Sequence, residues 1–176
     1  MTETGSVLKT LMMLAYLNAS PHGNPNQHDA FIISSPAFDN NKTIPLNYTC
    51  EGSDISPPIK WQGVPKKTKS LALVMFDEDT QWPGFYHWEV FNIPPTVTSF
   101  SPNIHTQLPE HMANNSFGNK TYRGPCPPQG EHHYVIRLYA LDKKLANSAG
   151  KNPLDLHRSM EHHIIAWTQV VGHFTK

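Results

Sequence analysis

The spacing of apolar and polar positions changes several times along the chain, and each change marks an element. "SLALVMFD" (70–77) is almost wholly apolar and ends on an acid, so it reads as a strand buried on both faces. "EDTQWPG" (78–84) is a turn-bearing loop. "FYHWEVFNI" (85–93), rich in aromatics and β-formers, is the next strand, and the Pro-Pro pair at 94–95 stops it. "HYVIRLYALD" (133–142) is a further strand. After it the period lengthens: Leu156, Met160, His163, Ile164 and Trp167 recur at spacings of three and four. Asn152 as cap, Pro153 at the first helical position and Asp155 in the first turn complete the signature of a helix. "TQVVGHF" (168–174) closes the chain as a strand. "FIISSPAF" (31–38) opens the ordered part. The segment 39–61 is rich in turn formers, and 96–123 shows little periodicity and predicts a long surface loop.

Composition sharpens this picture. At 176 residues the chain suits one domain, and its sixteen prolines leave few helical stretches, which favours strands and loops. A formal net charge of zero argues against the basic footprint of a nucleic-acid binder. No apolar run reaches the ~18 residues of a membrane-spanning helix. Residues 1–30 stand apart from the domain at 31–176. "VLKTLMMLAYLNAS" (7–20) reads either as a signal segment, with export to the periplasm or exterior, or as a helical extension of a cytoplasmic protein. In the second case Val7, Leu8, Leu11, Met12 and Ala15 share one face. Cys50 and Cys126 either form one disulfide in an oxidising compartment or remain two buried thiols.

The chemistry concentrates at strand ends. Alternation puts His132, Tyr134, Ile136, Leu138 and Ala140 on one face of their strand. Three of the five are aliphatic, so that face points to the core, with His132 and Tyr134 at its rim. His133 falls on the other, mixed face. If 70–77 and 85–93 form a hairpin, Asp77 and His87 meet near its mouth, where a carboxylate would orient the imidazole and raise its pKa. Asp79 lies just beyond. Parity does not place His87, because neither face of its strand is uniformly apolar. Just before His132 runs a stiffened loop, "GPCPPQGE" (124–131), containing Pro127 and Pro128. An Asp-His-His zinc site lacks a tight ligand pair to support it. There is no Gly-x-Ser-x-Gly nucleophile turn and no Gly-rich phosphate loop. No cofactor is expected and no catalytic constellation emerges.

Six blocks in order carry a resemblance: "SPAF" (35–38), "YTCEGSDISPPIKWQGVP" (48–65), "LALVMFDED" (71–79), "HWEVFNIP" (87–94), "GPCPPQGEHHYVIRLYALD" (124–142) and "HHIIAWTQVVGHF" (162–174). Together they resemble the phosphatidylethanolamine-binding protein family, in its bacterial Raf-kinase-inhibitor-like branch. The resemblance implies a mostly β, sandwich-like fold with a large central antiparallel sheet, a smaller sheet and a C-terminal helix. It also implies a small surface pocket for phosphate or a phosphoryl headgroup. Position by position, Asp77, Asp79, His87, Pro127, Pro128, His132 and Tyr134 match the residues of that pocket, while Glu78 and Thr80 depart from the family's usual proline and alanine. The expected role is ligand binding rather than catalysis, with a kinase or protease as a further partner and a homodimer as one assembly. The alternatives are a phosphoester hydrolase using Asp77 and His87, or a protein-interaction module independent of the pocket.

Overall fold

The computed structural model describes residues 30–80, 84–104, 111–146 and 150–176. The expectations for residues 1–29 lie outside it. Among the described residues, eight strands form two sheets. The smaller sheet has the order β1 (Ile32–Ser34), β3 (Ile59–Gln62), β6 (Ser99–Phe100), with both pairings antiparallel. The larger has the order β2 (Lys42–Thr43), β8 (Ile164–Thr175), β7 (Glu131–Leu141), β4 (Ser70–Asp77), β5 (Phe85–Ile93). It is antiparallel except where the two-residue β2 runs parallel to β8 at its edge.

Strand β4 is the centre of the molecule. Its residues Leu71, Ala72, Leu73, Val74 and Met75 are fully buried on both faces, as its unbroken apolar run requires. Leu71, Leu73 and Met75 pack with Trp88, Ile136 and Leu138 into the main core, which takes in Ile33, Trp61 and Phe100 of the smaller sheet. Ala72 and Val74 point the other way, into a second core with Tyr139, Leu156 and Met160. Two layers of apolar packing therefore clamp one sheet, and the strand ends stay free to carry polar groups.

The helix α1 spans only Pro153–Met160. Its start is as expected: the Asn152 side chain accepts from the Asp155 backbone N–H at 2.9 Å, with Pro153 in the first turn. Its end corrects the sequence expectation. His162 adopts a left-handed backbone (φ 65), and Ile164 and Trp167 belong to β8, not to a continuing helix. Ile164 and Ile165 are β-branched, and edge-to-edge pairing of β8 along eleven residues of β7 outweighs a helical period sustained for one more turn. Residues 96–123 are also less of a surface loop than expected. Phe100, Ile104, Met112 and Tyr122 are buried in the main core, and Met112 bridges to Val90 at the edge of β5. Within 39–61, β2, β3 and a 3-10 turn at Leu46–Tyr48 appear where turn formers obscured them.

Candidate functional site

Antiparallel pairing brings the end of β4 and the starts of β5 and β7 to the same rim of the large sheet. Asp77 is the last residue of β4; it lies across from Tyr134 on β7 and Phe85 on β5. Paired residues share a face, so Asp77 and Tyr134 both point to the main core, as the alternation of β7 predicts. His87 arrives by another route. Between Met75↔Trp88 and Phe76↔Tyr86 the register slips, leaving His87 as the extra residue of a β-bulge. A bulge re-aims a side chain against strict alternation. His87 consequently stands edge-to-face against Tyr134, with ring centroids 5.3 Å apart.

The carboxylate–imidazole pairing differs from the expected one. Asp77 Oδ2 accepts from His132 Nδ1 at 2.7 Å, and its Oδ1 accepts from the Asp79 backbone N–H at 3.0 Å. Both oxygens are thus engaged, and Asp77 orients His132, not His87. His87 Nδ1 instead donates to the Arg123 carbonyl at 2.7 Å, which leaves Nε2 as the nitrogen for a ligand. The pKa of His87 is also lowered, not raised: burial outweighs the Arg123 carbonyl and the Asp77 charge. Tyr134 is fully buried, and burial followed by the nearby Asp77 charge pushes its phenol well above the ordinary value. Its hydroxyl lies beside the Cys126 backbone and the Asp77 carboxylate, but makes no hydrogen bond of normal geometry with either. A buried hydroxyl without a well-aligned partner is costly. His132 is the most open of the set, with its side chain 17% exposed.

Asp79 turns away from this group. Its Oδ2 accepts from the backbone N–H of His133 at 2.6 Å and from the His133 ring at 3.0 Å, on the outer face of the sheet. Slight burial would raise its pKa, but these two hydrogen bonds outweigh that and hold it low. Asp77, Asp79 and His132 still offer ligand atoms within 4.8 Å of one another, a spacing that suits a metal ion.

The proline loop is held by much more than proline. The Cys50–Cys126 disulfide (Cα–Cα 5.4 Å) ties it to the segment after the 3-10 turn. Beside the bridge, Cys50 N–H donates to the Pro125 carbonyl at 3.1 Å, Gly124 N–H to Asp54 Oδ1 at 2.6 Å, and Tyr122 Oη to the Tyr48 carbonyl at 2.5 Å. Gly124 is required by close approach: a Cβ there would collide with the Tyr48 carbonyl and the Thr49 backbone. Pro127 is buried and Pro128 is exposed, so only the first of the pair is enclosed by the fold. Gly130 (φ 73) then turns the chain into β7.

Sequence reasoning missed Arg123, Asp54 and Phe117. Arg123 pairs with Asp54 at 3.2 Å and lies over the Phe117 ring at 5.0 Å, while Phe117 packs edge-to-face on Phe85 and His87. They sit in segments without periodicity, and the only local hint was the cation directly before the proline loop.

Comparison with known proteins agrees with this architecture. Residues 34–175 match the family model described as phosphatidylethanolamine-binding protein. The chain is 41% identical over 144 residues to a UPF0098 protein of Methanothermobacter thermautotrophicus, covering 80% of this chain and 95% of that one. A UPF0098 protein of Pyrococcus horikoshii is 42% identical over 146 residues, covering 78% and 73%. Among solved structures, a putative phosphatidylethanolamine-binding protein homologue from Chlamydia trachomatis superposes with a TM-score of 0.74 at 32% identity, over 84% of this chain and 98% of that one. Escherichia coli YbcL, described as a member of the mammalian family, gives 0.77 at 28% identity, over 84% and 99%.

Proposed function

This chain belongs to the phosphatidylethanolamine-binding protein family, and from that premise we propose that it binds a small phosphorylated or anionic ligand at the rim formed by His87, His132 and Tyr134. The observation that carries the reading is the buried Tyr134 hydroxyl, without a hydrogen-bond partner of good geometry, beside the His87 ring and the Asp77 carboxylate that holds His132. A phosphoryl group supplies the acceptor oxygens that this phenol and two ring N–H groups would satisfy. Asp77 acts as a positioning residue: it keeps the proton on His132 Nδ1 and directs Nε2 outward. The pinned loop with Pro127 and Pro128 is a wall that loses little freedom on binding.

Charge sets the conditions. The carboxylates of Asp54, Asp77 and Asp79 all lie near the imidazoles, and Arg123 is already paired with Asp54. An anion therefore binds together with protons taken up by imidazole. His87, whose pKa is lowered by burial, is the group with most to gain. Affinity falls as pH rises.

The protein is read as a binder in the Raf-kinase-inhibitor-like manner, with a kinase or protease as the regulated partner. The 2.7 Å Asp77–His132 pair keeps one enzymatic reading in play, hydrolysis of phosphoesters, with His132 rather than His87 as the base. The test is calorimetric titration of phosphate and phosphoethanolamine into wild type, His132→Ala and Tyr134→Phe. Each lost donor should weaken binding by roughly tenfold or more, since a hydrogen bond to a charged group contributes about 1.5–3 kcal/mol. Equal affinity in all three folded proteins would remove the site. Steady release of phosphate from an ester, abolished by His132→Ala, would replace the binder with an enzyme.

A further inference from the structure

The outer face of the same sheet carries a second pair of imidazoles that the anion site does not use. His133 on β7 and His173 on β8 lie directly across from each other in the antiparallel register. Their ring centroids are 6.3 Å apart. Each has a carboxylate at the same nitrogen: His133 Nδ1 lies 3.0 Å from Asp79 Oδ2, and His173 Nδ1 lies 3.1 Å from Glu131 Oε2. Both acids are themselves held. Asp79 also accepts from the His133 backbone at 2.6 Å, and Glu131 from the Thr175 hydroxyl at 3.4 Å.

A carboxylate only accepts, so a neighbouring Nδ1 is favoured as the protonated nitrogen and Nε2 as the lone pair. No described residue partners either Nε2. His133, hydrogen-bonded through Nδ1 to Asp79, reproduces the carboxylate–histidine arrangement that orients an imidazole ligand and raises its basicity; Glu131 stands close enough to His173 Nδ1 to do the same once the ring turns toward it. The spacing fits. An Nε2–metal bond of about 2.0–2.1 Å puts a ring centre about 3.2 Å from the ion, so two rings on one ion stand at most about 6.4 Å apart. A tetrahedral angle at the ion would put the ring centres about 5.2 Å apart, so the pair has to close by about 1 Å to share one ion. Both rings are reachable, with side chains 43% and 24% exposed.

We propose that His133 and His173 bind one borderline-soft divalent transition ion, Zn²⁺ or Cu²⁺, through their Nε2 atoms, with Asp79 and Glu131 as positioning residues and water completing the shell. Two imidazoles and solvent suit these ions better than Mg²⁺ or Ca²⁺, which prefer oxygen cages. Because Asp79 sits between this pair and Asp77, an ion here would also reinforce the rim of the anion site from behind.

The test uses ZnCl2 and CuCl2 with wild type, His133→Ala, His173→Ala and, for the inner face, His132→Ala. Calorimetry with Zn²⁺ should show a site that weakens at least tenfold in each variant. The electron paramagnetic resonance spectrum of the Cu²⁺-loaded wild type should show coupling to two imidazole nitrogens, and each variant should lose one. Unchanged affinity in both variants, or a wild-type spectrum with one nitrogen or none, overturns the proposal. A loss confined to His132→Ala would place the ion with Asp77 and Asp79 on the inner face instead, and overturns it equally. None of these outcomes depends on whether a phosphoryl ligand binds.

Discussion

At the residue scale, the molecule gives up stability to buried polar groups away from the His87–His132–Tyr134 rim as well as at it. Glu89 is 1% exposed, and its two carboxylate oxygens lack hydrogen-bond partners; the nearest base, His157 on α1, is 3.8 Å away and equally unsatisfied at Nε2. Burial raises Glu89 from 4.5 to about 8 and, with help from Arg137, lowers His157 from 6.5 to about 4. The two signs differ. The native state holds a proton on Glu89 that the unfolded chain releases, so stability declines as pH rises from about 4.5 to about 8. His157 does the reverse between about 4 and 6.5, because there the unfolded chain binds the extra proton. The effects offset at acid pH, and of these two groups only Glu89 acts from about pH 6.5 to 8. At about 1.4 kcal/mol per pH unit, wild type should lose about 2 kcal/mol more than Glu89→Gln across that interval in urea unfolding. Parallel stability curves would show that Glu89 is solvated or paired.

At the element scale, the sequence was legible where one interaction decided the outcome. The continuous apolar run of β4 can only be a strand covered on both faces, and alternation along β7 correctly separated inward His132 and Tyr134 from outward His133. The cap of α1 was equally plain, since Asn152, Pro153 and Asp155 each serve the same helix start. Legibility failed where long-range pairing competed with local pattern. The period from Leu156 to Trp167 continues smoothly, but pairing with β7 claims Ile164 onward as strand. His87 was unreadable because its bulge depends on the register of β4 against β5, which no single strand encodes. The pairing of Asp77 with His132 likewise needed the β4–β7 register. Two predictions belong here. Met160, 1% exposed in the second core, should cost about 2–5 kcal/mol on Met160→Ala, whereas Ile165→Ala, at a position 39% exposed, should cost far less. Similar losses at both would mean that α1 packs differently. Reduction of Cys50–Cys126, which closes a 76-residue separation, should lower unfolding free energy by about 4 kcal/mol in the loop-entropy account. If the pinned loop is a wall of the proposed site, reduction should also weaken phosphate binding; stability lost with affinity intact would detach that wall from the ligand.

At the scale of the whole molecule, one five-stranded sheet separates two groups of imidazoles at a common edge. The inner face gathers His87, His132 and Tyr134 beside the main core, and the outer face gathers His133 and His173; Asp77 and Asp79, two residues apart, serve one face each. No described helix is long and apolar enough to cross a membrane. The central claim is that a phosphoryl anion enters that rim together with protons. Calorimetric titration of phosphate at pH 7, repeated in buffers of different ionisation enthalpy, measures it directly, because the slope of apparent binding enthalpy against buffer enthalpy counts protons exchanged. The account predicts net proton uptake, up to about one for each imidazole that donates to the anion, and a matching loss of affinity between pH 6 and pH 8. Binding with no proton uptake and no pH dependence, or no binding at either pH, would contradict it.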